Sequence, residues 1–156
     1  MTNPQQNETG SREGMSLIVK TITRLTVGLI LLYGIYIVLH GHLTPGGGFP
    51  GGVIIALSFI HLLLAFGRRQ AFHAIAETRA ALMESVGAVA FLAIAFLGFG
   101  AGHFFANVLP QGEPHSVVSA GTIPLSNMAI CLKVGGGLYA VFLALVILNP
   151  ESERRP

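Results

Sequence analysis

The sequence contains no Asp and no Trp, and a single Cys among 156 residues. Charge is scarce as well: nine Lys and Arg and seven Glu make up 10% of the chain, against roughly 25% in a soluble domain. So little charge cannot cover a water-facing surface, which excludes an ordinary soluble fold. Cys131 alone can build neither a disulfide framework nor a zinc site, and it says nothing about redox compartment. A formal charge of +2 with no basic run interleaved with aromatics argues against nucleic acid as a partner. The six His form neither a His-x-x-x-His pair nor a Cys/His cluster, so no metal site is expected. No nucleophile stands beside a recognisable base, and neither a catalytic residue nor a cofactor is expected.

Apolar residues are what the chain has in excess. They make up 52% of it, with mean hydropathy +0.68. Four apolar runs occur, at 21–39, 51–66, 80–102 and 128–148. A bilayer core of about 30 Å takes around 20 apolar residues as a helix. The second run is short and is expected to begin in the Gly-rich segment before it or to continue past Gly67. Unbroken runs lack the alternation of a membrane barrel. The expected fold is therefore all-α, an integral membrane protein with four transmembrane helices. A polar tail (1–16) precedes the membrane domain (17–149) and a second tail (150–156) follows it. Residues 1–14 have no basic n-region, and the first apolar run has no small-residue cleavage site after it, so a signal peptide is not expected.

Orientation follows from the basic residues. Arg12, Lys20 and Arg24 precede or open the first run, Arg68, Arg69 and Arg79 separate the second and third, and Arg154 and Arg155 end the chain. With four spans these regions share one side of the membrane. The opposite loops, 40–50 and 103–127, contain no Lys or Arg. The positive-inside rule then places both termini in the cytoplasm and the chain in the inner (cytoplasmic) membrane as a multi-pass protein.

Beyond Arg24, which opens the first span, His61, Glu84 and Lys133 fall inside the expected spans, and such residues are functional candidates. Lys133 lies about five residues into the fourth span, roughly 8 Å below its outer edge. It can snorkel to the headgroups or point into protein. Helical spacing favours the second, since Ala129, Lys133, Gly136, Gly137, Ala140 and Ala144 share a small face, opposite Val134, Leu138, Val141, Leu145 and Leu148. Glu84 lies about four residues inside the cytoplasmic edge, either as an interfacial carboxylate near Arg79 or as a functional group. Roughly 15 Å of depth separates Glu84 from Lys133 on this reckoning, so each is expected to find its partner outside the chain. His61 matches Glu84 in depth, with Ser58 one turn away. It is either a neutral imidazole bonded to a neighbouring helix or, beside Glu84, part of a proton or cation relay. Lys133, Glu84 and His61 are thus the ion-pathway candidates.

The two outer loops differ. Residues 40–52, HGHLTPGGGFPGG, hold no Gly-Lys-Ser/Thr and follow no strand, which excludes a Walker A loop and a dinucleotide fingerprint. A tight turn with Pro50 near the first position of the second helix is expected. The longer loop carries Phe104, Phe105, Val108 and Leu109, which suggest a segment lying on the bilayer or on a partner. Ser126 or Asn127 is the expected N-cap of the fourth helix.

Two stretches carry a resemblance. HGHLTPGGGFPGGVIIA (40–56) contains Pro45, Gly46, Gly47, Gly48 and Phe49 with Gly51 and Gly52 behind them. SAGTIPLSNMAICLKVGGGL (119–138) contains Gly121, Thr122 and Pro124 ahead of a Lys-Val-Gly-Gly-Gly run. In this order and spacing they resemble the MnhB/MrpB family, the B subunits of multisubunit Mrp-type sodium/proton antiporters. The same module occurs in the membrane arms of related energy-converting hydrogenases. The resemblance runs from about Thr21 to Leu148. It implies an accessory role beside larger ion-translocating membrane subunits in a hetero-oligomeric, antiporter-like complex. Two further readings stand beside it: the same module in a redox-driven pump, and a free-standing small cation exporter. The last would need its own acidic residue in a span, and Glu84 is the one candidate.

Overall fold

A computed structural model describes residues 16–67, 77–113 and 119–148. Arg68, Arg69, His73, His115, residues 1–15 of the first tail and the whole of the second lie outside them. Four helices follow in order: α1 (Leu17–Leu39), α2 (Gly48–Phe66), α3 (Glu77–Leu97) with a 3-10 turn (Gly98–Ala101) after it, and α4 (Ile123–Leu148). All four are long and apolar enough to cross a membrane, and the described residues contain no strand. The all-α, four-span fold is as the composition requires.

Each helix begins three to five residues before its apolar run. The reason is local. First turns need no donors from their own N–H groups, so Gly, Pro and polar residues sit there at little cost. Gly48, Phe49 and Pro50 open α2, and Ile123, Pro124 and Leu125 open α4. Thr21 adds a bond from its hydroxyl to the Leu17 carbonyl in the first turn of α1.

In space the order is α1, α2, α4, α3. Helix α4 therefore sits between α2 and α3, and the consecutive pair α2 and α3 is not the main contact. Glycines set how closely each pair approaches. A Cβ added to Gly52 would lie 2.9 Å from the Cys131 carbonyl oxygen, and one added to Gly48 would collide with the Asn127 carbonyl. On the other flank of α4, a Cβ on Gly87 would lie 2.6 Å from the Lys133 nitrogen, and one on Gly136 2.8 Å from the Ala80 carbonyl. The small faces of α3 and α4 thus pack on each other. The buried core joins three helices through Ala56, Ile60 and Leu63 of α2, Ala80 of α3, and Tyr139 and Leu143 of α4.

Packing this close gives the fold a sharp sensitivity. Gly87→Val should separate α3 from α4 and destabilise the protein by about 1–3 kcal/mol, the usual cost of overpacking. Gly28→Ala should be neutral or slightly stabilising, since nothing lies within 4 Å of its added Cβ. Thermal unfolding of the two variants in detergent measures the contrast, and equal midpoints would contradict the glycine-set interface.

Candidate functional site

The α3–α4 seam brings two of the three candidates together. Lys133 Nζ lies 3.9 Å from Glu84 Oε1. This corrects the expectation that each would need a partner outside the chain. Because α4 starts at Ile123 and not near Met128, Lys133 is ten residues in, about 15 Å from the helix start. The glycine contacts then fix the level: Gly87 lies against the Lys133 backbone, and a Cβ on Gly137 would be 3.3 Å from the Glu84 carboxyl carbon. The 15 Å difference in depth disappears. At 3.9 Å the charges attract without a hydrogen bond. The side chains remain 51% and 45% exposed on this chain, so the pair opens on the outer surface of the seam.

His61 goes elsewhere. Its Nε2 lies 3.0 Å from the Thr23 hydroxyl of α1, and Thr23 is buried. One turn earlier the buried Ser58 hydroxyl donates to the Ile55 carbonyl at 2.7 Å. The expected approach of His61 to Glu84 is therefore corrected: Glu84 pairs with Lys133, and His61 bonds to the neighbouring helix. Again α4 is the reason, since it takes the place beside α3 that the relay required of α2. Near the same end of α1, the Arg24 guanidinium sits 5.3 Å from the Phe66 ring centroid, as in a cation–π contact.

The starts of α2 and α4 are tied by side chains from other segments. Gly47 sits at φ +121°, a conformation that favours glycine. It delivers the Gly48 N–H, an orphan donor of α2, to the Asn127 side-chain oxygen at 3.2 Å. Asn127 thus caps α2, a correction to its expected place at the start of α4. Ser126 lies inside α4 as well, its hydroxyl donating to the Thr122 carbonyl at 3.0 Å. The start of α4 is held instead by Asn107, which the sequence reading passed over. Its side-chain oxygen accepts from the Thr122 N–H at 3.0 Å, and its amide donates to the Ala120 carbonyl at 3.3 Å. Gly121, at φ +64°, leaves room for this, because an added Cβ would collide with the Asn107 side chain. Asn107 lies 14 residues before Gly121 in a stretch without periodicity, so no local signal marked it. Phe104, Phe105, Val108 and Leu109 stay exposed. Phe105 is turned back onto α3, its N–H donating to the Ala95 carbonyl at 3.2 Å and its ring 5.3 Å from that of Phe91.

The family described as "Domain related to MnhB subunit of Na+/H+ antiporter" matches residues 18–140. The chain belongs to the MnhB family. A Staphylococcus haemolyticus relative that bears the name of antiporter subunit mnhB2 is 33% identical over 136 residues, 83% of this chain and 93% of that one. An uncharacterized protein of Methanocaldococcus jannaschii is 38% identical over 128 residues, 74% of this chain and 47% of its own length. Among solved structures, a chain of the membrane-bound sulfane sulfur reductase, an archaeal respiratory membrane complex, superposes with TM-score 0.73 at 29% identity. That match covers 94% of this chain and 64% of the other. This chain thus spans less than two thirds of the archaeal relatives and nearly all of the staphylococcal one.

The MnhB region contains the glycine turn, the Gly-Thr-Ile-Pro entry, His61, Glu84 and Lys133. If the ion pair is one unit, its members should act non-additively. Lys133→Met and Glu84→Gln should each destabilise the assembled protein, because the remaining group loses its counter-charge. The double variant should cost less than the sum of the two. We expect a coupling of about 0.5–1 kcal/mol, at the low end for contacting residues because both side chains are half exposed. Thermal midpoints of the four proteins close the cycle, and strict additivity would show two independent charges.

Proposed function

We propose that this chain is an accessory membrane subunit of a multisubunit Mrp-type cation/proton antiporter, and that it supports assembly and ion translocation without being a transporter alone. One observation carries the reading. The Glu84–Lys133 pair lies within the spans and is about half exposed. Ionisable residues facing lipid tails are costly, whereas those in membrane proteins face the bundle interior, a partner or a water-filled passage. An assembly that places a neighbouring subunit or a hydrated passage over this seam removes the cost. The MnhB match and the staphylococcal relative support the same reading. His61, bonded to Thr23, serves here to pin α2 to α1. Lys133→Ala should impair turnover or assembly far more than Lys133→Arg, which keeps the charge though in a larger fork.

Expressed alone, the chain should confer no cation/proton exchange on everted vesicles, while the complete complex should, and deleting the chain from it should abolish exchange. Robust exchange by the isolated subunit would overturn the accessory reading. The likeness to a chain of a respiratory complex supports a second reading, in which the same module serves the membrane arm of a redox-driven pump. Purification of the native complex separates the two, because only the second brings iron–sulfur subunits with it.

The basic residues support an inner-membrane topology with both termini cytoplasmic, since loops 40–50 and 103–127 lack Lys and Arg. Cysteines placed singly at Gln111 and Gln70 in a Cys131→Ala background test it on intact cells. An impermeant thiol reagent should label position 111 and spare position 70. The reverse pattern would invert the topology.

A further inference from the structure

The Glu84–Lys133 pair is open on one side of the α3–α4 seam, and its surroundings restrict what can cover it. No hydrogen bond reaches either head group from the described residues. An ammonium carries three donors and a carboxylate about four acceptor positions, so most of their bonding capacity is left for a group outside the chain. Gly137 keeps the carboxylate uncovered, because a Cβ there would already lie 3.3 Å from the Glu84 carboxyl carbon.

Three kinds of cover are available to such a seam: lipid tails, a file of water, or another helix. Charges facing lipid tails are costly, and about 15 Å into α4 Lys133 is too deep for its stem to carry the ammonium to headgroups. The side chains around the pair agree. Where α1 is bare it presents Leu25, Leu29 and Leu32, 63–71% exposed, the large apolar surface that suits lipid. Around the pair the residues left at least partly open include Ala81, Ala88, Gly137 and Ala144. A file of water fits no better. A water held in protein takes about three hydrogen bonds, and these four residues offer no side-chain donor or acceptor. The Ser85 hydroxyl is already turned onto the Ala81 carbonyl at 2.9 Å. Polar capacity is thus concentrated at one level of the seam, with small side chains on either side of it along α3. That is the pattern of a close helix contact, in which small residues let backbones approach and a polar group is satisfied across the interface. Charge adds a condition. The pair sums to zero, so a third fixed charge at its level would lack a counter-ion.

We propose that one transmembrane helix of a neighbouring subunit lies along the α3–α4 seam and presents an uncharged amide or hydroxyl side chain to Glu84 and Lys133. An amide answers both groups at once, its oxygen accepting from the ammonium and its N–H donating to the carboxylate. The inference rests on the accessory-subunit reading, and it adds the face that is used and the chemistry of the contact.

The test uses the assembled native complex. A diazirine analogue of leucine, placed singly at Ala81 and at Ala88, should on irradiation join both positions to one helix of one neighbouring subunit. The two sites on that helix should be about seven residues apart, the spacing of the probes, with Asn, Gln, Ser or Thr and no charged residue between them. Ala81→Leu adds volume at a position exposed on this chain and should lower retention of the chain in the complex about tenfold, as overpacking does. Ala88→Cys in a Cys131→Ala background should resist a charged thiol reagent while the complex is intact. Lipid adducts at both positions, or ready labelling of that cysteine through water, would overturn the contact. So would a Lys, Arg, Asp or Glu on the captured segment at the level of the pair. Lipid adducts in a complex that still exchanges cations would sink this contact alone, whereas exchange by the isolated chain would sink the accessory reading.

Discussion

The contact on which the rest depends is the backbone-to-backbone approach of α4 to its two neighbours. Gly48 and Gly52 of α2 let one flank of α4 come within a Cβ of touching, and on the other flank Gly87 of α3 meets the Lys133 backbone while Gly136 of α4 meets the Ala80 carbonyl. Between helices in lipid there is no hydrophobic driving force, so close packing of small residues has to supply the attraction. Contacts this tight tolerate little sliding. They set the level of α3 against α4, and with it which side chains meet.

The charge pair is a product of that level. Glu84 and Lys133 belong to helices that enter the bundle from opposite ends, and neither is close to the other in sequence. A slip of one turn along the seam would move them about 5 Å apart in height and leave two unpaired charges. The pairing is incomplete as a solution, however, because half of each side chain still faces outward. A protein folding alone in lipid gains nothing from that exposure. A subunit that reserves the face for a neighbour does.

The loops use the same economy of partners. Asn127, inside α4, satisfies the first N–H of α2, and Asn107, in the long loop, satisfies the start of α4. In both cases a side chain from one segment closes the end of another, so the starts of α2 and α4 and the loop before α4 are fastened together. The glycines at 47 and 121 belong to these fastenings: each has the positive φ that brings the backbone to the waiting amide.

How much of this was legible beforehand divides along physical lines. Apolar length and scarce charge determined four membrane helices, because the thickness of a bilayer and the cost of charge within it leave no other solution. The two glycine-rich stretches determined the family. The small face of the fourth helix was also legible, since helical periodicity is local. Helix starts were read late because first turns are built from residues without an apolar signal. Those few residues were enough to misplace Lys133 by about 8 Å and to separate it from Glu84. Which helices are neighbours was not legible at all: chain order suggested α2 beside α3, and only the packing put α4 between them. That choice decided that Glu84 meets Lys133, that His61 meets Thr23 and that Asn127 caps α2. A sequence determines what each helix can offer on each face, whereas which faces meet is decided by close contacts between segments far apart in the chain.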